Sequence, residues 1–169
     1  MPTMESNIST LAAPERTQYE PSPHNRLVRP ESASNPHILI LSPFPEDHEV
    51  LHNILNNVCR ISDAHTCREA VSFLCLDYAR VIFCEGHLPD GSWKDMLSYI
   101  AELAEPPALI VTSRLADERL WAEVLNEGGH DVLAKPFREQ EVRHVLANAL
   151  GQTTRVDERA LVARAAGFE

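Results

Sequence analysis

Cations are scarce in this chain. Residues 37–150 hold nine Lys and Arg against eighteen Asp and Glu, and the whole chain carries a formal net charge of -10. Phosphate backbones are bound by clustered Lys and Arg, and no such cluster occurs, so nucleic acid is not an expected partner. No apolar run approaches the roughly 18 to 20 residues that cross a bilayer. The first thirty residues contain no apolar stretch of the kind a secretory signal needs. A soluble, cytoplasmic protein without membrane contact is therefore expected. Cys59, Cys67, Cys75 and Cys84 include no C-x-x-C pair, which argues against a redox or zinc motif. They read as reduced, mostly buried thiols that act as small hydrophobes.

What the chain does contain is enough apolar material for one domain: 44% of its 169 residues are hydrophobic. Residues 1–36 hold six of the twelve prolines among Ser, Asn, Glu and Arg, without apolar periodicity, and are expected to form a disordered or loosely ordered arm. The folded domain is expected over 37–150. Residues 151–169 make a tail, with a short helix around Asp157 to Ala166 that is too small for a DNA-binding output domain. The module is expected to stand alone.

Within the domain, short apolar runs alternate with helical patterns. Ile38 to Leu41 reads as a buried strand, stopped by Pro43 and Pro45, and a helix runs from about Pro45 to Asn57 with Leu51, Ile54, Leu55 and Val58 inward. Val58 to Ser62 reads as a second strand. Thr66 caps a helix from about Cys67 to Asp77. Val81 to Cys84 is a third strand, followed by a turn-rich segment to Gly91 and a helix from about Ser92 to Leu103. Ala108 to Thr112 is the fourth strand. A helix from about Ala116 ends at Glu127 before Gly128, Asp131 to Ala134 is the fifth strand, and Phe137 to Leu150 the last helix. Continuous Val/Ile/Leu strands alternating with helices imply a doubly wound α/β fold, a five-stranded parallel sheet covered on both faces. Sites in such sheets lie at the carboxyl ends of the strands, which directs attention to Ser42, Pro43, Glu85, Thr112 and Lys135.

At those positions the sequence resembles the receiver domain of two-component response regulators, the CheY-like (βα)5 flavodoxin-like fold with strand order 2-1-3-4-5. Four stretches carry the resemblance over residues 37–150: ILIL-SPFP, CEGHLPDG, LIVTS and LAKPF. In that family an acidic pair after the first strand and an Asp after the third hold magnesium, and that Asp takes a phosphoryl group. Here Ser42 and Pro43 match the acidic pair, and Glu85 matches the acceptor, one methylene longer and so displaced by about 1.5 Å. Thr112 matches the hydroxyl and Lys135 the cation of the site. Phosphoryl transfer depends on positioning and on metal-borne charge, so the resemblance implies a degenerate pseudo-receiver with no catalytic residue, metal or cofactor. Glu85 then either forms a structural pair with Lys135 or mimics, with one charge in place of nearly two, a permanently phosphorylated state. The expected role is a non-enzymatic, phosphorylation-independent protein–protein interaction module in phosphorelay signalling. The alternative is a working, phosphorylatable receiver.

His48-Glu49-Val50-Leu51-His52 also matches H-E-x-x-H, the helix of zinc proteases. At 100° per residue Glu49 points away from the apolar stripe and both histidines lie at its flank, and no third ligand is evident downstream. A zinc-binding protein is a remote alternative, and surface histidines are the expectation. Asp90, in the LPDG turn, has an ordinary reason to be there in bonding its own backbone.

Receiver domains commonly meet partners through helix four, strand five and helix five, read out by a switch aromatic on strand five. Val132 occupies that switch position and cannot swing as a ring does. On helix four, Ala116, Leu120 and Val124 form the core stripe, while Trp121 and Leu125 form a second apolar strip. The strip either widens the core contact or, together with Val132, makes Trp121, Leu125 and Val132 an exposed face for a protein partner or for self-association.

Overall fold

The computed structural model describes residues 35–151. The expected arm, apart from Asn35 and Pro36, and the tail beyond Gly151 lie outside those residues. The elements run β1 (His37–Leu41), α1 (Pro45–Leu55), β2 (Arg60–Ala64), α2 (Cys67–Leu76), β3 (Val81–Glu85), α3 (Trp93–Ala101), β4 (Ala108–Ser113), α4 (Glu118–Glu127), β5 (Asp131–Ala134) and α5 (139–151). The five strands form one parallel sheet in the order β2-β1-β3-β4-β5, as expected from the alternation and the resemblance. A two-residue hairpin, His87–Leu88 against Gly91–Ser92, was not expected and closes the loop after β3.

The central strands β1, β3 and β4 are apolar on both sides because each side meets a helix layer, whereas edge strand β2 is largely polar and partly exposed. Ile38, Ile40, Val81, Phe83, Ile110 and Leu133 pack on Leu51, Ile54 and Leu55 of α1 and on Val142, Val145, Leu146 and Ala149 of α5. Leu39, Leu41, Ile82, Cys84, Leu109 and Val111 pack on the opposite layer, with Ala70 of α2, Trp93, Met96 and Ile100 of α3, and Val124 of α4. Burying a side chain of this size contributes about 1.5 to 3 kcal/mol, and that repeated term holds the layers together.

Local signals set the helix ends. The Thr66 side chain accepts from Glu69 N–H at 3.2 Å, and the Asp95 carboxylate accepts from the Ser92 N–H and hydroxyl, both at 2.8 Å. Asp117 accepts from Leu120 N–H at 2.8 Å, so α4 begins at Glu118 and Ala116 lies before it. Gly128 closes α4 in the left-handed region at φ 102°. β2 starts two residues later than expected. The N–H groups of Val58 and Cys59 both bond back to Leu55 C=O at 2.9 Å, which prolongs the turn and leaves Val58 exposed.

Candidate functional site

Parallel strands all end at the same sheet edge, and that edge gathers the candidate site residues. The β3–β4 register sets Glu85 beside Thr112, whose hydroxyl donates to Glu85 Oε2 at 3.3 Å. Lys135 follows β5, its N–H bonded to Ser113 C=O at 3.0 Å and its peptide bond to Pro136 cis. Its ammonium forms an ion pair with Glu85, and the two side chains are 6% and 10% exposed. Ser42 is buried at the end of β1, while Pro43 stands beside it, half-buried.

A second carboxylate enters this site. Pro45 opens α1, placing Asp47 in its first turn with the side chain turned inward and 7% exposed. Its Oδ2 accepts from the Ser42 hydroxyl at 2.5 Å and from the Lys135 ammonium. Asp47 is not among the residues to which the strand ends directed attention, so the site holds one carboxylate more than expected. The signal was present in the sequence: Asp47, Leu51 and Leu55 are spaced four apart, so Asp47 continues the buried stripe of α1. A charge on an apolar stripe needs a partner, and Lys135 is that partner.

With both carboxylates ionised, the cluster carries one net negative charge, and each carboxylate also takes a hydroxyl donor, from Ser42 or Thr112. The Phe44 ring lies 4.9 Å from Lys135 Nζ and the Phe137 ring 5.8 Å, so the ammonium is further shielded by aromatic faces. A cleft of about 360 Å³ opens over the cluster between Glu46, Asp47, Arg114, Lys135 and Phe137. Magnesium demands near-octahedral oxygen ligands at about 2.1 Å. These residues do not fit that ion, because the Lys135 ammonium already contacts both carboxylates and neither Ser42 nor Pro43 supplies a charge.

The H-E-x-x-H histidines are engaged elsewhere. His48 is buried, correcting the expectation of a surface residue, and Glu49 is exposed. His48 Nδ1 lies 2.7 Å from Asp63 Oδ1, and His52 Nε2 lies 3.0 and 2.8 Å from Asp63 Oδ1 and Oδ2. Tetrahedral zinc holds its nitrogen and oxygen ligands roughly 3.3 Å apart, so these groups are in direct contact with each other and not spaced around an ion. Burial opposes ionisation of Asp63, yet the hydrogen bonds from His48 and His52 outweigh it and hold the carboxyl below its ordinary value.

Asp90 bonds its own backbone N–H, as expected, and reaches beyond its turn as well. Its carboxylate accepts from the N–H groups of Cys67 at 2.7 Å and Arg68 at 3.0 Å, so it caps α2 from a distant loop. Those two bonds hold its carboxyl below the usual range. Of the thiols, Cys59 and Cys84 are buried, Cys67 is half-buried and Cys75 exposed, so fewer are interior than expected. Burial, with the Asp90 charge, pushes Cys67 up to about 11, and burial raises Cys84 well above its ordinary value, which keeps both as thiols. On α4, Trp121 is 50% exposed and Leu125 is 37% exposed. Trp121 Nε1–H donates to Asp131 at 3.1 Å. Val132 is half-buried against the α2–α4 side of the core, so it borders the strip of Trp121 and Leu125 and is not fully exposed with it.

No family model matches the chain. The sensory transduction protein LytR of Staphylococcus saprophyticus is 28% identical over 122 residues, which cover 69% of this chain. The chain spans about half the length of that protein, 47%. Among solved structures, the signal receiver domain of an HD-domain-containing protein from Pseudomonas fluorescens superimposes with TM-score 0.68 at 23% identity, covering 76% of this chain and 96% of that domain. A response regulator receiver domain protein from Clostridium thermocellum gives TM-score 0.65 at 18% identity, covering 72% and 98%. The fold is therefore that of a receiver domain. Among the described residues no helix is long and apolar enough to cross a membrane.

Proposed function

We propose that this chain is a phosphorylation-independent receiver module of two-component, phosphorelay-type signal transduction that acts in the cytoplasm by binding proteins and catalyses no reaction. The observation that carries the reading is the shared ammonium: Lys135 is paired with both Glu85 and Asp47 in a buried cluster. A phosphoryl acceptor needs a free nucleophilic oxygen and a divalent cation beside it. Oε2 of Glu85 is paired with Lys135 and accepts from Thr112, and no ligand set for a divalent cation stands beside it, since the positions where the metal-binding pair is expected carry Ser42 and Pro43.

The cluster also supports a fixed state. A receiver is switched by bringing a new charge to the acceptor; here the charge is part of the side chain and its partners are already in place. Val132 supports the same reading, since a half-buried valine offers no ring to alternate between two positions. The proposed partner surface is the α4 strip of Trp121 and Leu125, bordered by Val132, used for a protein partner or a second copy of the chain.

The test is incubation with acetyl phosphate and magnesium, followed by intact-mass measurement. The expected mass is that of the unmodified chain, for wild type and for Glu85→Asp alike. A phosphoryl adduct on the wild type would establish the alternative, a working receiver.

A further inference from the structure

The titratable groups that the site leaves unused lie together where α1 meets β2: His48, His52, His65 and Asp63. Both ring nitrogens of buried His48 face acceptors. Nδ1 is 2.7 Å from Asp63 Oδ1, and Nε2 is 2.8 Å from the Ser42 carbonyl oxygen. Only an imidazolium donates from both nitrogens; a neutral ring keeps one bond and turns a lone pair toward the other acceptor. His65 Nδ1 lies 3.1 Å from the same Ser42 carbonyl, with its ring centroid 4.6 Å from that of His48.

Ser42 joins this cluster to the Lys135 site. Its carbonyl faces the histidines, while its hydroxyl donates to Asp47, which is paired with Lys135. Asp47 and His48 are also successive residues of α1, so a shift of one ring is carried to the neighbouring carboxylate by a rigid helical turn. We infer that the proton on His48 is a coupling element: its loss breaks the bond to Ser42 or to Asp63, moves Ser42 against Asp47, and so makes the Asp47–Lys135–Glu85 arrangement respond to pH. The groups that face His48 are Asp63 from β2, His65 from the β2–α2 turn, and His52 one turn along α1. Glu69 of α2 accepts from the His65 N–H at 2.7 Å. Across Ser42 stand Asp47 of α1 and Lys135 beyond β5.

This coupling does not rest on the absence of phosphoryl transfer, and the two are tested by different measurements. The isotope-labelled full chain is titrated by NMR from about pH 5 to about pH 8, the range in which histidines exchange protons. The His48 ring nitrogens, the Ser42 amide and the Asp47 carboxyl carbon are followed together. The expected result is that both His48 nitrogens are protonated at the acid end and that Ser42 and Asp47 shift with the same midpoint as the ring. His48→Gln, which cannot titrate, removes the shift at both. Asp63→Asn, at a partly exposed residue, moves the three midpoints together to lower pH and keeps the inference testable if the buried variant does not fold. A His48 ring that never changes protonation, resonances of Ser42 and Asp47 that stay flat while it titrates, or a response unchanged in His48→Gln overturns it.

Discussion

Asp47 and Lys135 come from opposite ends of the domain and meet as a buried ion pair, with side chains 7% and 6% exposed. Because Lys135 also serves Glu85, the three residues do not have equal weight. Lys135→Ala leaves two carboxylates facing each other without a cation, and breaking a buried pair in this way costs about 3 to 5 kcal/mol. Asp47→Asn leaves the ammonium with Glu85 and should cost less, about 1 to 3 kcal/mol, comparable to one buried polar group losing its partner. Urea denaturation of the two variants gives the order. A larger loss for Asp47→Asn than for Lys135→Ala would contradict the shared-ammonium arrangement.

The parallel sheet was legible from local apolarity and alternation, and the strand ends directed attention to Glu85, Thr112 and Lys135, while the strand order and the matching of those residues to a site came from the family resemblance. Asp47 and Asp90 were not legible, for one reason: each works on a residue distant in sequence. Asp47 pairs across to Lys135, and Asp90 caps a helix that begins 23 residues earlier. Neither shows as a motif, although the four-residue spacing of Asp47 from Leu51 was a usable sign. His48 was misplaced because a histidine on the flank of a helix is buried or exposed according to its partners, here Asp63 and the Ser42 carbonyl.

Magnesium at millimolar concentration should leave the amide resonances of Ser42, Asp47 and Glu85 unmoved. The cation that these carboxylates accept is already covalently part of the chain. Saturable shifts centred on Glu85 and Asp47 would show that the ammonium yields its place. In the triple variant Ser42→Asp, Pro43→Asp and Glu85→Asp the carboxylates are restored at the strand ends, and magnesium-dependent shifts are expected there.

Acid should loosen α2 through Asp90. Its carboxyl is held below the ordinary 3.8 by the N–H groups of Arg68 and Cys67. A depressed carboxyl contributes stability that is fully present above the unfolded value and is lost as pH falls through the folded one. Asp90→Asn should therefore be less stable than wild type at neutral pH, and the difference should close below 3.8. Hydrogen exchange at the Cys67 and Arg68 amides reports the site directly. Equal stability of the two proteins at neutral pH would remove Asp90 from the cap. Asp63 has the same sign of dependence, since the histidine bonds hold its carboxyl low against burial.

The partner face is tested at Trp121. A fully buried tryptophan truncated to alanine loses about 3 to 5 kcal/mol of stability, whereas an interface anchor loses about 2 kcal/mol or more of binding with little change in the fold. Trp121 is 50% exposed, and its indole N–H is bonded to Asp131. Half of its surface already lies outside the core, so Trp121→Ala is expected to cost about 1 to 2 kcal/mol of folding stability by the same scale. Leu125 lies one turn further along α4, 37% exposed, and extends the strip in the direction a partner helix would follow. Sedimentation velocity over a concentration series decides whether the partner is a second copy of the chain. If wild type self-associates, Trp121→Ala and Leu125→Ala should each weaken the dimer, and the double variant should abolish it. A wild type that stays monomeric throughout removes self-association and leaves a different protein as the partner. A stability loss above about 3 kcal/mol for Trp121→Ala would instead make this residue part of the core, and the face would have to be sought elsewhere.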